Sequence, residues 1–417
     1  MAEQPPVAEQ EGTRRGFRLR MSVAPLRVRG YRLLFVAQAA SEFGNAFHFV
    51  ALPWLVYQRG GDAAELGLIV AAYGLCRLIT TPLGGVCTDR FGAWRVMMVS
   101  DLGRTTLTAA LAVIAALDVG GFGLISALAA ATGLFAGLFQ PAAWAITPRL
   151  LPPEQLQSGM ALLSTATFAA GLAGPGIAGL VVLVLDPASA LAVDAATFAV
   201  SAAFLAAVGS ALRGAAPATA RSSTDGGFLG LLRESRLLRD VLVVTAAANL
   251  TMGGMSRVGL PSLAEGELGA GAVGLGGLLA SFTGGCLAGG LLAAGVTGLR
   301  RRGRVAMISG LVLAVSVFAV PFVGLFGALA VLFVAGAAST VTNVMIVTVI
   351  QHGTPAPLLG RVMAAVLFCG LGLFPVSVAV SGFVVERFGT TSIFVITGVL
   401  LLGAFSFGLS RREITGR

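Results

Sequence analysis

The chain has 417 residues, enough for two or three ordinary domains, yet 56% of them are hydrophobic and only 11% are charged, against about 25% charged in soluble proteins. With a mean hydropathy of +0.89, this composition excludes a water-soluble enzyme. All 28 basic residues are arginine, which excludes a Walker A loop and with it a self-contained ATP-driven pump, and also a lysine Schiff base.

A bilayer core of roughly 30 Å needs about 20 apolar residues per helix. Twelve runs meet that requirement, at 33–57, 66–87, 96–117, 122–146, 159–184, 188–209, 240–262, 270–297, 305–324, 326–350, 361–385 and 391–409. The weakest boundary is Gly324 to Phe326, where a Gly-Leu-Phe-Gly break without charge separates two runs. With the N-terminus in the cytoplasm, 23 of the 28 arginines fall in the tails and inner loops, from Arg14 to Arg417. The outer loops carry Asp62, Glu65, Asp118, Asp186, Glu265, Glu267 and Glu386 instead. The asymmetry matches the preference of basic residues for cytoplasmic loops. It also accounts for the net charge of +9 by topology and attraction to anionic headgroups. A nucleic-acid partner is excluded, because the arginines are split over separate segments without an aromatic stacking platform. The N-tail has no short apolar core followed by a small-residue cleavage site, so it reads as a retained cytoplasmic tail.

The longest polar interruption, 210–239, divides six runs from six, and its end from Phe228 to Leu238 reads as an interfacial amphipathic helix. The expected organisation is a tail at 1–30, a six-helix half at 31–209, the linker at 210–239, a second six-helix half at 240–409 and a tail at 410–417. The halves echo each other. Leu83 and Arg95-Val96 match Leu292 and Arg304-Val305 at an offset of 209, and Pro152, Met160-Ala161 and Gly179 match Pro355, Met363-Ala364 and Gly382 at an offset of 203. Six plus six helices in parallel repeat is the architecture of a rocking transporter with its site between the halves.

The loop after the second run reads Gly85-Val86-Cys87-Thr88-Asp89-Arg90-Phe91-Gly92-Ala93-Trp94-Arg95. Gly85 lets helices approach closely, Gly92 permits the turn, and Asp89 can accept hydrogen bonds from a helix N-terminus. This pattern resembles the signature between helices 2 and 3 of the major facilitator superfamily. The resemblance implies an all-α membrane protein of twelve transmembrane helices in two halves, both termini cytoplasmic. It further implies that Asp89 latches onto the N-terminus of helix 11, near Arg361, when the molecule faces outward. The fifth run contains Gly171-Leu172-Ala173-Gly174-Pro175-Gly176-Ile177-Ala178-Gly179, similar to the glycine-proline motif of superfamily antiporters, beside which plain small-residue packing stands as the alternative. Ser100-Asp101-Leu102-Gly103-Arg104, Gln140-Pro141-Ala142, Pro148-Arg149-Leu150-Leu151-Pro152, Asp194-Ala195-Ala196-Thr197-Phe198 and Gly360-Arg361-Val362 resemble the enterobactin-exporter and macrolide-efflux branch.

Ionisable residues inside a bilayer cost at least ~2.5 kcal/mol each unless paired or hydrated, so they mark function by default. At 1.5 Å per residue, Glu42 and Arg77 lie about 15 and 18 Å from the inner surface and could pair; Asn249 and Asn343 lie about 14 Å deep. Glu42, Asn45 and His48 rise along the first run, Gln140 sits on the fourth, Asn249 on the seventh and Asn343 on the tenth. The resemblance implies that helices 1, 4, 7 and 10 line a central cavity. Glu42 reads either as a proton carrier with Arg77 as its switchable partner, or as half of a permanent ion pair orienting two helices. Asp101 and Arg104, three apart, are expected to form a local pair near the inner gate, and Arg257 stands near the outer end of the seventh run. The two histidines are too few, and the four cysteines too dispersed in apolar stretches, for a metal site; no cofactor is expected. The reading is a monomeric, multi-pass exporter of the cell (inner) membrane that exchanges amphiphilic small molecules for protons, using no nucleotide. An importer or uniporter is the alternative, and an intramembrane enzyme a remote one.

Overall fold

A computed structural model describes residues 23–211, 236–295, 301–353 and 356–411. Most of the expected amphipathic segment Phe228–Leu238 lies outside them, as do the arginines before Arg27, and of Arg361 only the backbone is described. Among the described residues there is no strand. A 3-10 turn, Ala24–Arg27, leads into α1 (Arg29–Gln58), α2 (Ala63–Phe91), α3 (Ala93–Ala116), α4 (Phe122–Leu150), α5 (Pro153–Val184) and α6 (Pro187–Ala211). After the linker come α7 (Arg236–Gly254), a π turn (Met255–Gly259) and α8 (Leu260–Glu265), which follow one another without a break. The remainder is α9 (Gly271–Gly295), α10 (Arg302–Ala319), α11 (Gly324–Gly353), α12 (Ala356–Phe388) and α13 (Thr390–Ser410).

Ten helices among the described residues are long and apolar enough to cross a membrane. α1 is not one of them, because Gln38, Ser41, Glu42, Asn45 and His48 crowd its middle; such a helix belongs among other helices and away from lipid. Prolines sit inside α1, α2, α4, α5 and α12, which neighbouring helices make tolerable.

The termini follow local chemistry. Asp62 accepts from the Glu65 backbone N–H at 2.8 Å while Glu65 accepts from the Asp62 N–H at 3.2 Å, a reciprocal cap that starts α2. Gly92, at φ +88°, allows the reversal into α3 that a side chain would strain. The α10–α11 boundary falls slightly earlier than the sequence suggests, at a 3-10 turn Val320–Phe322 followed by Gly324 at φ +64°. Cys76, Cys87 and Cys286 are free thiols, each half-buried.

α1 packs on α5 and α6, α3 on α4 and α6, and α2 on α4; separately, α9 packs on α11, α10 on α11 and α13, and α7 on α12 and α13. Two seams join these groups, α2 against α12 and α5 against α9. Both are backbone against backbone. A Cβ added at Gly382 would come 2.7 Å from the Ala63 carbonyl oxygen, and one at Gly179 would come 2.5 Å from that of Ala272. Likewise Gly67 faces the Val378 carbonyl and Gly276 that of Pro175. The two seams therefore repeat the same contacts, at the two offsets found within the sequence.

Both seams lie toward the end of the molecule that carries Asp62, Asp186 and Glu267. Tyr57 and Ser262 share a hydrogen bond of 2.7 Å at that end, and Glu267 takes the Thr391 N–H and hydroxyl. At the arginine-bearing end a Cβ on Gly85 or Gly92 would meet nothing within 4 Å, and Asp89 and Arg90 are exposed.

Candidate functional site

α1 presents polar residues on two faces. One face carries Gln38, Glu42, Asn45 and Phe49, spaced at helical repeats of three and four. Glu42 is half-buried, with Asn45 as its polar neighbour and Arg104 and Arg77 as the nearest cations. No ion pair joins Glu42 to Arg77 among the described residues. The reason is topological: α1 hardly touches α2, which packs on α4 and α12 instead. Equal depth brought the two residues to one level without turning them toward each other.

The other face of α1 carries His48, whose Nδ1 lies 3.0 Å from Asp194 Oδ2 on α6. His48 is 8% exposed and Asp194 0%. The α1–α6 approach leaves no room at Gly44, where a Cβ would come 2.7 Å from Asp194 Oδ1. Asp194 was legible in the sequence as a carboxylate inside an apolar run, the very signal that singled out Glu42, but its partner 146 positions away was not.

Asp101 and Arg104 do pair, as their spacing suggested. Ser201 donates to Asp101 Oδ2 at 2.6 Å, and the Arg104 guanidinium lies between the rings of Phe139 and Phe198, 4.3 Å from each centroid. Asp101 is 0% and Arg104 3% exposed, so this is an interior clasp of α3, α4 and α6. Asp89, Arg90 and Arg95 remain exposed at the α2–α3 turn, and the Arg361 side chain expected beside the Asp89 latch lies outside the described residues.

A cavity of about 670 Å³ lies among α7 and α9–α13, lined by Asn249, Asn343, Ser339, Thr342, Met252 and Phe374 among others. Asn249 Nδ2 is held by the Thr245 carbonyl at 2.9 Å. Arg257, in the π turn, lines this cavity and also a cleft of about 30 Å³ shared with His48, Phe49, Tyr73 and Ser256. Its guanidinium stacks on Phe49 at 3.3 Å from the ring centroid. The π turn begins where Ser377 accepts a hydrogen bond of 2.8 Å from the Gly254 N–H, and such turns recur at functional sites. Glu42, Asn45, Arg77 and Gln140 line neither of these two spaces. Of the α5 glycines, Gly179 serves the seam, Gly174 faces Ala46 of α1 and Gly171 faces Thr283 of α9, with Pro175 buried between them.

The sequence model of the Major Facilitator Superfamily matches residues 34–373. The chain belongs to the Major Facilitator Superfamily. It is thus a member of a transporter family, and its ten long apolar helices fit a multi-pass membrane protein. The multidrug efflux pump Tap of Mycolicibacterium fortuitum is 33% identical over 178 residues, 40% of this chain and 42% of that protein. The match thus spans less than half the length of that curated relative. An uncharacterised superfamily transporter, y4rN of Sinorhizobium fredii, is 26% identical over 383 residues, 89% of this chain and 92% of the other. Solved structures share the superfamily fold. The nucleoside transporter NupG aligns with a TM-score of 0.72 at 13% identity, over 91% of this chain and 98% of that one. A bacterial homolog of the lysosomal transporter Spinster, inward-facing and unoccupied, aligns at 0.69 and 13% identity, over 93% and 97%.

Proposed function

We propose that this superfamily member is a proton-coupled exporter of amphiphilic small molecules, working by alternating access between two six-helix halves in the cell membrane. Its twelve spans leave both termini in the cytoplasm, and the conformation described is open to the cytoplasm. The observation that carries this reading is the one-sided closure: α2–α12 and α5–α9 are sealed beside Asp62 and Asp186 while the turn at Asp89 stands free. Similarity to the Tap pump supports the outward direction. The largely apolar wall of the 670 Å³ cavity, with Asn249, Asn343, Ser339 and Thr342 as fixed polar points, suits amphiphiles better than sugars, which need many hydrogen-bonding side chains.

Glu42 carries the proton in this reading. It lies at mid-depth with no ion-paired partner among the described residues, and one proton crossing 100 mV supplies about 2.3 kcal/mol, enough for roughly a 40-fold gradient. The test is dye accumulation in everted vesicles with an imposed pH gradient. Wild type accumulates dye and loses it on addition of uncoupler, and E42Q loses gradient-driven accumulation. Full activity in E42Q would remove Glu42 from the mechanism; dye movement indifferent to uncoupler would make the protein a uniporter or importer.

A further inference from the structure

We propose that His48 and Asp194 form a second proton-binding site, separate from Glu42, set where α1 meets the π turn of α7 across the interface between the helix groups. With Asp194 Oδ2 3.0 Å from Nδ1, the carboxylate accepts from an Nδ1–H tautomer. Nε2 is then the basic atom, and it is buried without a hydrogen-bond partner among the described residues. A buried imidazole nitrogen left unpaired costs free energy unless water or a proton reaches it.

The ring supplies that access. His48 lines the 30 Å³ cleft together with Tyr73 of α2 and Ser256 and Arg257 of the π turn, a space large enough for one or two waters. The proton passes from hydronium in the cleft to Nε2, giving an imidazolium beside a carboxylate and a water. No other reactant is consumed. Asp194 stabilises the imidazolium because it is fully buried and His48 is the only group hydrogen-bonded to its side chain among the described residues. Because α1 and α2 form one wall and the π turn the other, rocking of the two groups opens or closes the cleft, and occupancy of the site is thereby tied to the conformation.

The surrounding charges are few. α1 itself adds Glu42; α2 adds Tyr73, its ring centroid 6.2 Å from that of His48, and Arg77. α3 contributes Arg104, already neutralised by Asp101, and the π turn contributes Arg257. Glu265 stands at the end of α8. α5 has only Glu154, in its first turn, α4 only Arg149, in its last, and α9 has no charged residue. Asp194 is the one charged group hydrogen-bonded to the ring among the described residues, so the carboxylate is the group whose loss shows most.

Only the role of the site in transport rests on the exporter reading; proton binding itself does not. The chain has two histidines, so H352Q leaves His48 as the sole imidazole, readable by NMR of histidine-labelled full-length protein. The expected result, over the pH range in which histidines in general change charge, is a proton arriving at Nε2, and a displaced midpoint when D194N is added. An imidazole that keeps one form over that range, or a midpoint unmoved by D194N, overturns the proposal. The H352Q titration stands even if D194N fails to fold. In everted vesicles H48Q is expected to shift the pH profile of dye accumulation, and an unchanged profile denies the site its part in coupling. If the imidazole titrates as expected but no gradient drives dye in wild type, the exporter reading fails and the proton site stands.

Discussion

Arg104 shows how a charge is kept inside this bundle. Its guanidinium has Asp101 on one edge and an aromatic face on either side, so α4 and α6, the two helices most closely packed on α3, both contribute to it. Arg104→Leu would leave the Asp101 carboxylate buried without a counter-charge, a loss of about 3–5 kcal/mol for breaking a buried pair. The expected outcome is a clear fall in the melting temperature of the detergent-solubilised protein. Arg77→Gln makes the contrasting case, because no ion pair is broken. Its melting temperature should move far less than that of Arg104→Leu, and a fall as large would mean that Arg77 is paired after all. The sequence disclosed Asp101–Arg104 because helical spacing makes three-apart residues neighbours. It did not disclose Ser201, Phe139, or the His48–Asp194 contact, since these depend on which helices meet. For Glu42 and Arg77 depth was readable and azimuth was not.

At the scale of elements, the positions of the long helices were legible to within a few residues, because a helix fit to cross a bilayer needs about 30 Å of apolar length. The π turn was not: nothing in Met-Ser-Arg-Val-Gly declares an extra residue in a turn, and its cause is a contact with Ser377 of another helix. Gly179 and Gly382 illustrate the opposite case. They were matched by an internal offset of 203, and each proves to face a carbonyl across a seam. Replacing Gly382 by Leu forces α2 and α12 apart. The expected result is faster labelling of a cysteine introduced at Tyr73 by an impermeant maleimide added from the Asp62 side, and equal labelling rates would contradict the closed seam. Phe49→Leu removes the face on which Arg257 rests, and a desolvated cation–π contact is worth about 2 kcal/mol. Labelling at the same cysteine should rise here too, by up to roughly 30-fold.

For the whole molecule, the arginine distribution makes a prediction independent of any side-chain contact. A fluorescent reporter fused after Arg417 should fold and fluoresce, while alkaline phosphatase fused there should stay inactive, because basic tails remain in the cytoplasm. An active phosphatase would invert the orientation and with it the direction assigned to the open end.

The duplicated glycine seams bear on the speed of the cycle. A boundary of interdigitated side chains must withdraw each knob from its hole before it can part, and that adds an activation barrier. Here two bare backbones lie against each other, with few directional attachments such as Tyr57 to Ser262 and Arg257 to Phe49. Such surfaces separate by losing many small dispersion contacts gradually, without rotamer changes on the way. In the proposed cycle such seams would close tightly and part readily, a combination that a larger residue at Gly179 or Gly382 would forfeit.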